Sequence, residues 1–236
     1  MRFFVPGLGF VYSKSKGKKK MANGAHKGSA FERQICKELS LWWTDGKRDD
    51  IFWRTSGSGA RSTTRAKTGK STFEQDGDIQ AIDPIGSPFT QLFSVEIKRG
   101  YSWDLLDLLS PKKRKTTHPI ISFLEQAEAS ALQGGSMYPM VITKQDRKPT
   151  IVIVPSQFVI EYGLQFTYDV EFFKESKNIP KLIRLKLGGW NTPGSVPLYS
   201  IKERDVVLME LGSWLEWINP HLLKTLDPKK EDLRND

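Results

Sequence analysis

The sequence predicts an α/β chain built around a small mixed sheet, and three observations carry that reading. "KGSAFERQICKELS" spaces Phe31, Ile35 and Leu39 four apart, which lines them on one helical face. "GDIQAID", "FTQLFSVEIKR", "YPMVITKQ" and "PTIVIVP" are short β-rich runs bounded by turn residues. A second amphipathic stretch, "ISFLEQAEASALQGG", falls between them, so helices and strands alternate.

In chain order, residues 1 to 26 are basic, Gly-rich and without period, and are expected to form a flexible arm. Met21 within that arm is a second candidate start of translation. The first helix is expected from about Ser29 to Trp43, with Ser29 as N-cap and Glu32, three residues on, completing a capping box. "IFWRTS" reads as a strand, and "GSGARSTTRAKTGKST" as a basic loop of small residues. "GDIQAID" and "FTQLFSVEIKR" are expected to close a hairpin across the turn "PIGSP". The next helix ends at Gly134 and Gly135, and two strands follow, joined by "DRKP". Beyond residue 156, "QFVIEYG" and "RDVVLMELGSWLEWI" have helical spacing, "IPKLIRLKLGG" suits a strand, and "KTLDPKKEDLRND" is a polar tail. This divides the chain into an arm (1–26), a core (27–160) and a C-terminal extension (161–236).

Composition narrows the function classes. A chain of 236 residues, 38% hydrophobic, can bury a core as one domain. No run approaches the roughly 20 apolar residues of a membrane span. In the opening segment the charges follow the apolar part, the reverse of a secretory signal. A soluble, intracellular (cytoplasmic) protein is expected, with a viral or mobile-element source compatible. Cys36 is the single cysteine, so no intramolecular disulfide and no CxxC metal site can form. The three histidines, His26, His118 and His221, are scattered and make no zinc set. "TGKST" holds a GK[ST], but Thr64 stands where a phosphate loop needs its upstream glycine.

The net charge is +9, and it is clustered. "SKSKGKKK" holds five lysines, the stretch from Arg54 to Phe73 holds five cations and no acid, and "PKKRK" follows at 111–115. Acid-free basic blocks suit a polyanion, because each cation that meets a phosphate releases counterions. Tyr101 and Trp103, just before "KKRK", are the aromatic residues best placed to touch DNA. Most of the seven tryptophans, Trp42, Trp43, Trp214 and Trp217 among them, read as core or dimer contacts.

The chemistry lies in the strands. Glu96 and Lys98 are two apart, so their side chains leave a strand on the same face. Asp78 can lie beside them if the two runs pair. Two carboxylates at one point repel unless they share a cation. Mg²⁺, which takes one or two carboxylates plus water and phosphate oxygens, fits such a set. Lys98 would then hold or help deprotonate an attacking water and screen developing charge. The acids stand inside apolar strands, and the acid-free basic loop lies directly before Asp78. Asp76 and Asp83 are nearby acids of lower rank. Without these neighbours, acid alternating with lysine on an edge strand is ordinary solvated surface.

"KGSAFERQICKEL", "WRTSGSGAR", "GDIQA", "VEIKR" and "EQAEASA" follow in an order that resembles archaeal-type Holliday-junction resolvases, of the PD-(D/E)xK restriction-endonuclease-like superfamily. The resemblance covers about residues 27 to 155. It implies a central mixed sheet flanked by helices, a Mg²⁺-dependent phosphodiesterase site (Mn²⁺ substituting), a branched four-way DNA substrate and a homodimer. Residue by residue, Asp78 and Glu96 resemble the direct metal ligands and Lys98 the catalytic lysine. Glu32 resembles the helix acid that reaches the metal, a role that competes with its place in the capping box. Ser58 resembles a serine at the scissile region, with Ser56 as the competing alignment. Gln126 resembles a helix glutamine near the site, with a plain surface amide as the equal alternative. Arg54 and Arg61 look like phosphate contacts, and Arg65, Lys67 and Arg99 extend that basic set. Gly77 stands where the superfamily pattern often has proline, and the insertion 100–119 and the last 80 or so residues have no counterpart. A restriction or nicking nuclease of the same fold, and a non-catalytic DNA-binding module, are the alternative readings.

Overall fold

The computed structural model describes residues 24–55, 77–104, 118–166, 169–172, 182–186, 196–201 and 204–225. Helix α1 (Gly24–Trp43) leads into strand β1 (Phe52–Arg54), then β2 (Ile79–Ala81), a 3-10 turn (Pro84–Gly86), α2 (Ser87–Leu92) and β3 (Phe93–Arg99). Next come α3 (Pro119–Gly134), β4 (Tyr138–Lys144), β5 (Thr150–Pro155) and α4 (Ser156–Phe166). The chain continues through β6 (Asp169–Phe172), β7 (Leu182–Lys186), β8 (Val196–Ile201), β9 (Arg204–Glu210), α5 (Leu211–Trp217) and α6 (Pro220–Leu223).

The main sheet runs β3-β4-β5-β9-β8-β7-β6, with β3 at its edge. β3 and β4 are parallel, with Glu96 opposite Val141 and Lys98 opposite Thr143. The remaining pairs are antiparallel, so the sheet is mixed, as expected. Around β3, β4, β5 and β9 both faces are covered, which is why those strands read as near-continuous apolar runs. On one face Phe31, Ile35 and Leu39 of α1 join Val95, Met140, Val152 and Val207 in the larger core. On the other, Ile120, Phe123, Leu124 and Ala127 of α3 pack on Val141, Ile153, Val206 and Leu208. α3 starts at Pro119, with His118 Nδ1 accepting the Ile120 N–H at 3.2 Å, and it stops at Gly135, whose φ is 73°.

Three sequence expectations are corrected. α1 begins at Gly24, so Ser29 lies inside the helix and caps nothing; residues 24–28 contain no proline that would stop the helix from extending back. The hairpin does not form. β2 pairs with β1, with Arg54 opposite Ile79 and Phe52 opposite Ala81, and "SPFTQL" is helical rather than the start of a strand. Pro88 sits in the first turn of α2, and Phe89 and Leu92, three apart, are both buried. "RDVVLME" is the strand β9, bonded between β5 and β8, and only "LGSWLEW" is helical. Adjacent β-branched Val206 and Val207 supply opposite faces of the sheet, a period of two that helical spacing overlooks.

Candidate active site

β3 is where the sequence places the chemistry, and its pleat puts Glu96 and Lys98 on one side. The Lys98 ammonium donates to Glu96 Oε1. The route by which Asp78 reaches them differs from the expected hairpin. As an edge strand in a parallel pair, β3 turns the N–H and C=O groups of alternate residues away from β4. Asp78 takes up that edge at two points. Its own N–H donates to the Val95 carbonyl at 2.7 Å, and its Oδ2 accepts the Ile97 N–H at 2.7 Å. The Asp78 carbonyl in turn accepts from Thr55 N–H at 3.0 Å, so one residue joins the β1–β2 ribbon to β3.

Gly77 makes this close approach possible. Its φ is +88°, and a Cβ there would lie 2.8 Å from the Val95 carbonyl oxygen and 3.0 Å from the Val95 nitrogen. Proline, locked near φ −65°, cannot take that conformation. Gly77 therefore makes a bend of its own kind and does not stand in for a proline.

Glu32 faces the same region from α1. Its Oε2 lies 2.9 Å from Arg54 Nε, although the contact lacks the alignment of a hydrogen bond and leaves that nitrogen without one. Arg54 is thus held by an acid at the site. The electrostatics show that these groups share a small volume. Asp78 and Glu96 are each only 8% exposed. Burial pushes the Glu96 carboxyl above its ordinary range, and the Asp78 and Glu32 carboxylates push the same way against Lys98. Burial acts to lower Lys98, but attraction to Glu96, its hydrogen bond to Glu96 and the Asp78 charge win, so the ammonium is held more firmly than usual. Behind the acids, the Cys36 thiol is pushed up to about 12 by burial, with Glu32 and Asp78 adding to it.

The donor set suits a hard dication. Asp78 keeps Oδ1 and Glu96 keeps Oε2 free of hydrogen bonds among the described residues. Also among the described residues, no three His, Cys, Asp or Glu side chains gather to hold an ion by themselves. Two buried carboxylates with one uncommitted oxygen each fit an ion that keeps waters and takes phosphate oxygens, as Mg²⁺ does.

Ser56, Ser58, Arg61, Arg65, Lys67 and Asp76 lie outside the described residues. The Arg99 guanidinium sits 5.6 Å from the centre of the Phe31 ring, with its Nε buried and without a hydrogen bond. Gln126 is exposed, and its amide donates to Ser122 in its own helix at 3.4 Å. Asp83 is structural: it caps the 3-10 turn through the Ile85 N–H at 3.1 Å and pairs with Arg48 at 2.6 Å. The outward-facing backbone of Val95 and Ile97 was missed by sequence reasoning, because no side-chain pattern marks an edge.

A mixed sheet flanked by helices, with two buried acids and a lysine converging on an edge strand, is the restriction-endonuclease-like architecture of PD-(D/E)xK nucleases. The family described as "Phage putative PDDEXK endonuclease" matches residues 23–192, and the chain belongs to that family. The match runs past Pro155, where the motif series read from the sequence stops. No curated protein and no solved structure matches the chain. Nucleases of this superfamily typically use divalent metal ions. Among the described residues no helix is long and apolar enough to cross a membrane.

Proposed function

We propose that this nuclease is a Mg²⁺-dependent, structure-selective DNA endonuclease that hydrolyses phosphodiester bonds. Its narrower assignment is a resolvase of four-way junctions acting as a homodimer, with Mn²⁺ able to replace Mg²⁺. One observation carries the chemical part: the Asp78 carboxylate is pinned to the Ile97 N–H, beside Glu96 and Lys98. The narrower assignment rests on the ordered motif series of the sequence, and a two-fold dimer would match the approximate symmetry of a four-way junction.

In this reading Asp78 and Glu96 would hold the ion, with Glu32, now paired with Arg54, as the third acid available to it. When bound, Mg²⁺ supplies Lewis-acid charge at the phosphate and makes water a better nucleophile. Lys98, protonated beside Glu96, donates to the attacking water and to the charge that builds on phosphorus-bound oxygens. Arg54 would meet a phosphate, with Arg99 and the cations Arg61, Arg65 and Lys67 as further contacts. Ser58 or Ser56 would contact the scissile region.

Cleavage of a synthetic four-way junction, a linear duplex and a flap, each with and without Mg²⁺, tests both levels. Junction-selective, Mg²⁺-dependent cutting is expected. Equal cutting of all three sinks the resolvase assignment and leaves a restriction- or nicking-type enzyme.

A further inference from the structure

Beyond the acids, β3 and β4 end side by side. Arg99 stands opposite Lys144, and Gly100 N–H donates to the Lys144 carbonyl at 3.1 Å. The two segments then part around a pocket of about 180 Å³. Trp103 and Asp104, after β3, form one wall, and Gln145, Lys148, Pro149 and Ile151, from the β4–β5 turn and β5, form the other. Gln145 Nε2 donates to the Trp103 carbonyl at 2.9 Å and ties the walls together.

Two properties define what such a pocket takes. Its walls are largely apolar and include an indole, a surface on which a planar ring can stack. Lys148 is exposed at the rim and has no acidic partner among the described residues. A stacking wall and an exposed ammonium match the ring and the phosphate of a nucleotide.

We propose that this pocket receives one unstacked nucleobase of the bound DNA, with Lys148 on the adjoining phosphate. Trp103 follows Lys98 by five residues, so the pocket lies just past the C-terminal end of the strand that carries Glu96 and Lys98. The inference rests on the nuclease reading for the presence of DNA. It adds a base-reading element by which the enzyme would favour distorted or unpaired DNA, where extrusion of a base costs least.

The test reads the pocket separately from catalysis. In the ¹⁵N-labelled full chain, the Trp103 indole resonance is assigned by its loss in Trp103→Phe and followed during titration with deoxynucleoside monophosphates or with deoxyribose 5-phosphate. A saturable shift with the nucleotides, and little with the sugar phosphate, is expected. Lys148→Ala should weaken the nucleotide titration several-fold. No shift, or an equal shift with the base-free phosphate, overturns the proposal. Trp103→Ala should also lower affinity for DNA carrying one unpaired nucleotide by roughly tenfold, and an abasic residue at that position should erase the difference. If Trp103→Ala does not fold, Trp103→Phe and Lys148→Ala carry the same comparison. A chain that shows the nucleotide shift but never cuts DNA would sink the nuclease reading alone. One that cuts without the shift would sink the pocket alone.

Discussion

Asp78 and Ile97 are joined by a 2.7 Å hydrogen bond in which the Ile97 backbone N–H donates to the Asp78 carboxylate. The bond fixes an acid from one ribbon on the edge of another sheet, between a buried Glu96 and its partner Lys98.

Glu96→Ala and Lys98→Ala should each reduce Mg²⁺-dependent cleavage by about 100-fold or more, with DNA affinity within a few-fold of wild type. Single-turnover cleavage beside a binding titration separates the two effects. Wild-type cutting by either variant refutes the site assignment.

Glu32 no longer has a capping role to compete with, because α1 starts well before Ser29. Glu32→Gln removes its charge and its pairing with Arg54. Both partners are partly exposed, so the loss of stability should stay below about 1 kcal/mol. Activity should fall far more than that, together with a higher Mg²⁺ requirement. Unchanged Mg²⁺ dependence would return Glu32 to a purely structural role.

Gly77→Ala should loosen the docking of Asp78. The left-handed φ costs roughly 1–2 kcal/mol for a residue with a Cβ, and the 2.8 Å approach to the Val95 carbonyl adds to it. Thermal melts should show the loss, and cleavage should drop with it. A variant with wild-type stability and activity would show that the bend is dispensable.

Mg²⁺ should raise the melting temperature of the wild-type protein, since an ion that binds only the folded state stabilises it. Asp78→Asn and Glu96→Gln should each lose most of that rise. A rise of the same size in both variants would place the ion elsewhere.

Cys36 should resist thiol reagents at pH 8 in the native protein and react once unfolded. Its folded pKa, about 12, lies above the ordinary thiol value of 9.0. Between those values the unfolded chain loses the proton while the native chain keeps it. The associated stability is therefore complete below about 9 and is lost as the pH rises toward 12. Cys36→Ala should show a shallower alkaline decline, measured by denaturant unfolding between pH 8 and 11.

Much of this site could be read from local pattern. The Phe31, Ile35, Leu39 stripe and the alternation of Glu96 and Lys98 depend only on the periods of helix and strand, which every such segment obeys. The closing glycine of α3 and the turn between β4 and β5 likewise follow from neighbouring residues. The hairpin failed for a physical reason: "PIGSPFTQL" holds two prolines that can start helical turns as well as break strands, and local sequence does not choose between them. β9 was misread because "VVLME" satisfies both periods over so short a run.

By itself, then, the sequence determined the residue types of the site, the faces on which they stand and the α/β class, since these follow from backbone periodicity and side-chain chemistry. Tertiary structure alone decided that β2 pairs with β1, that Asp78 docks on the open edge of β3, that Glu32 meets Arg54 and that β9 enters the sheet beside β5. Those outcomes depend on which buried N–H and C=O groups find partners across long sequence separations. That matching belongs to the whole packed chain and is written in no single segment of it.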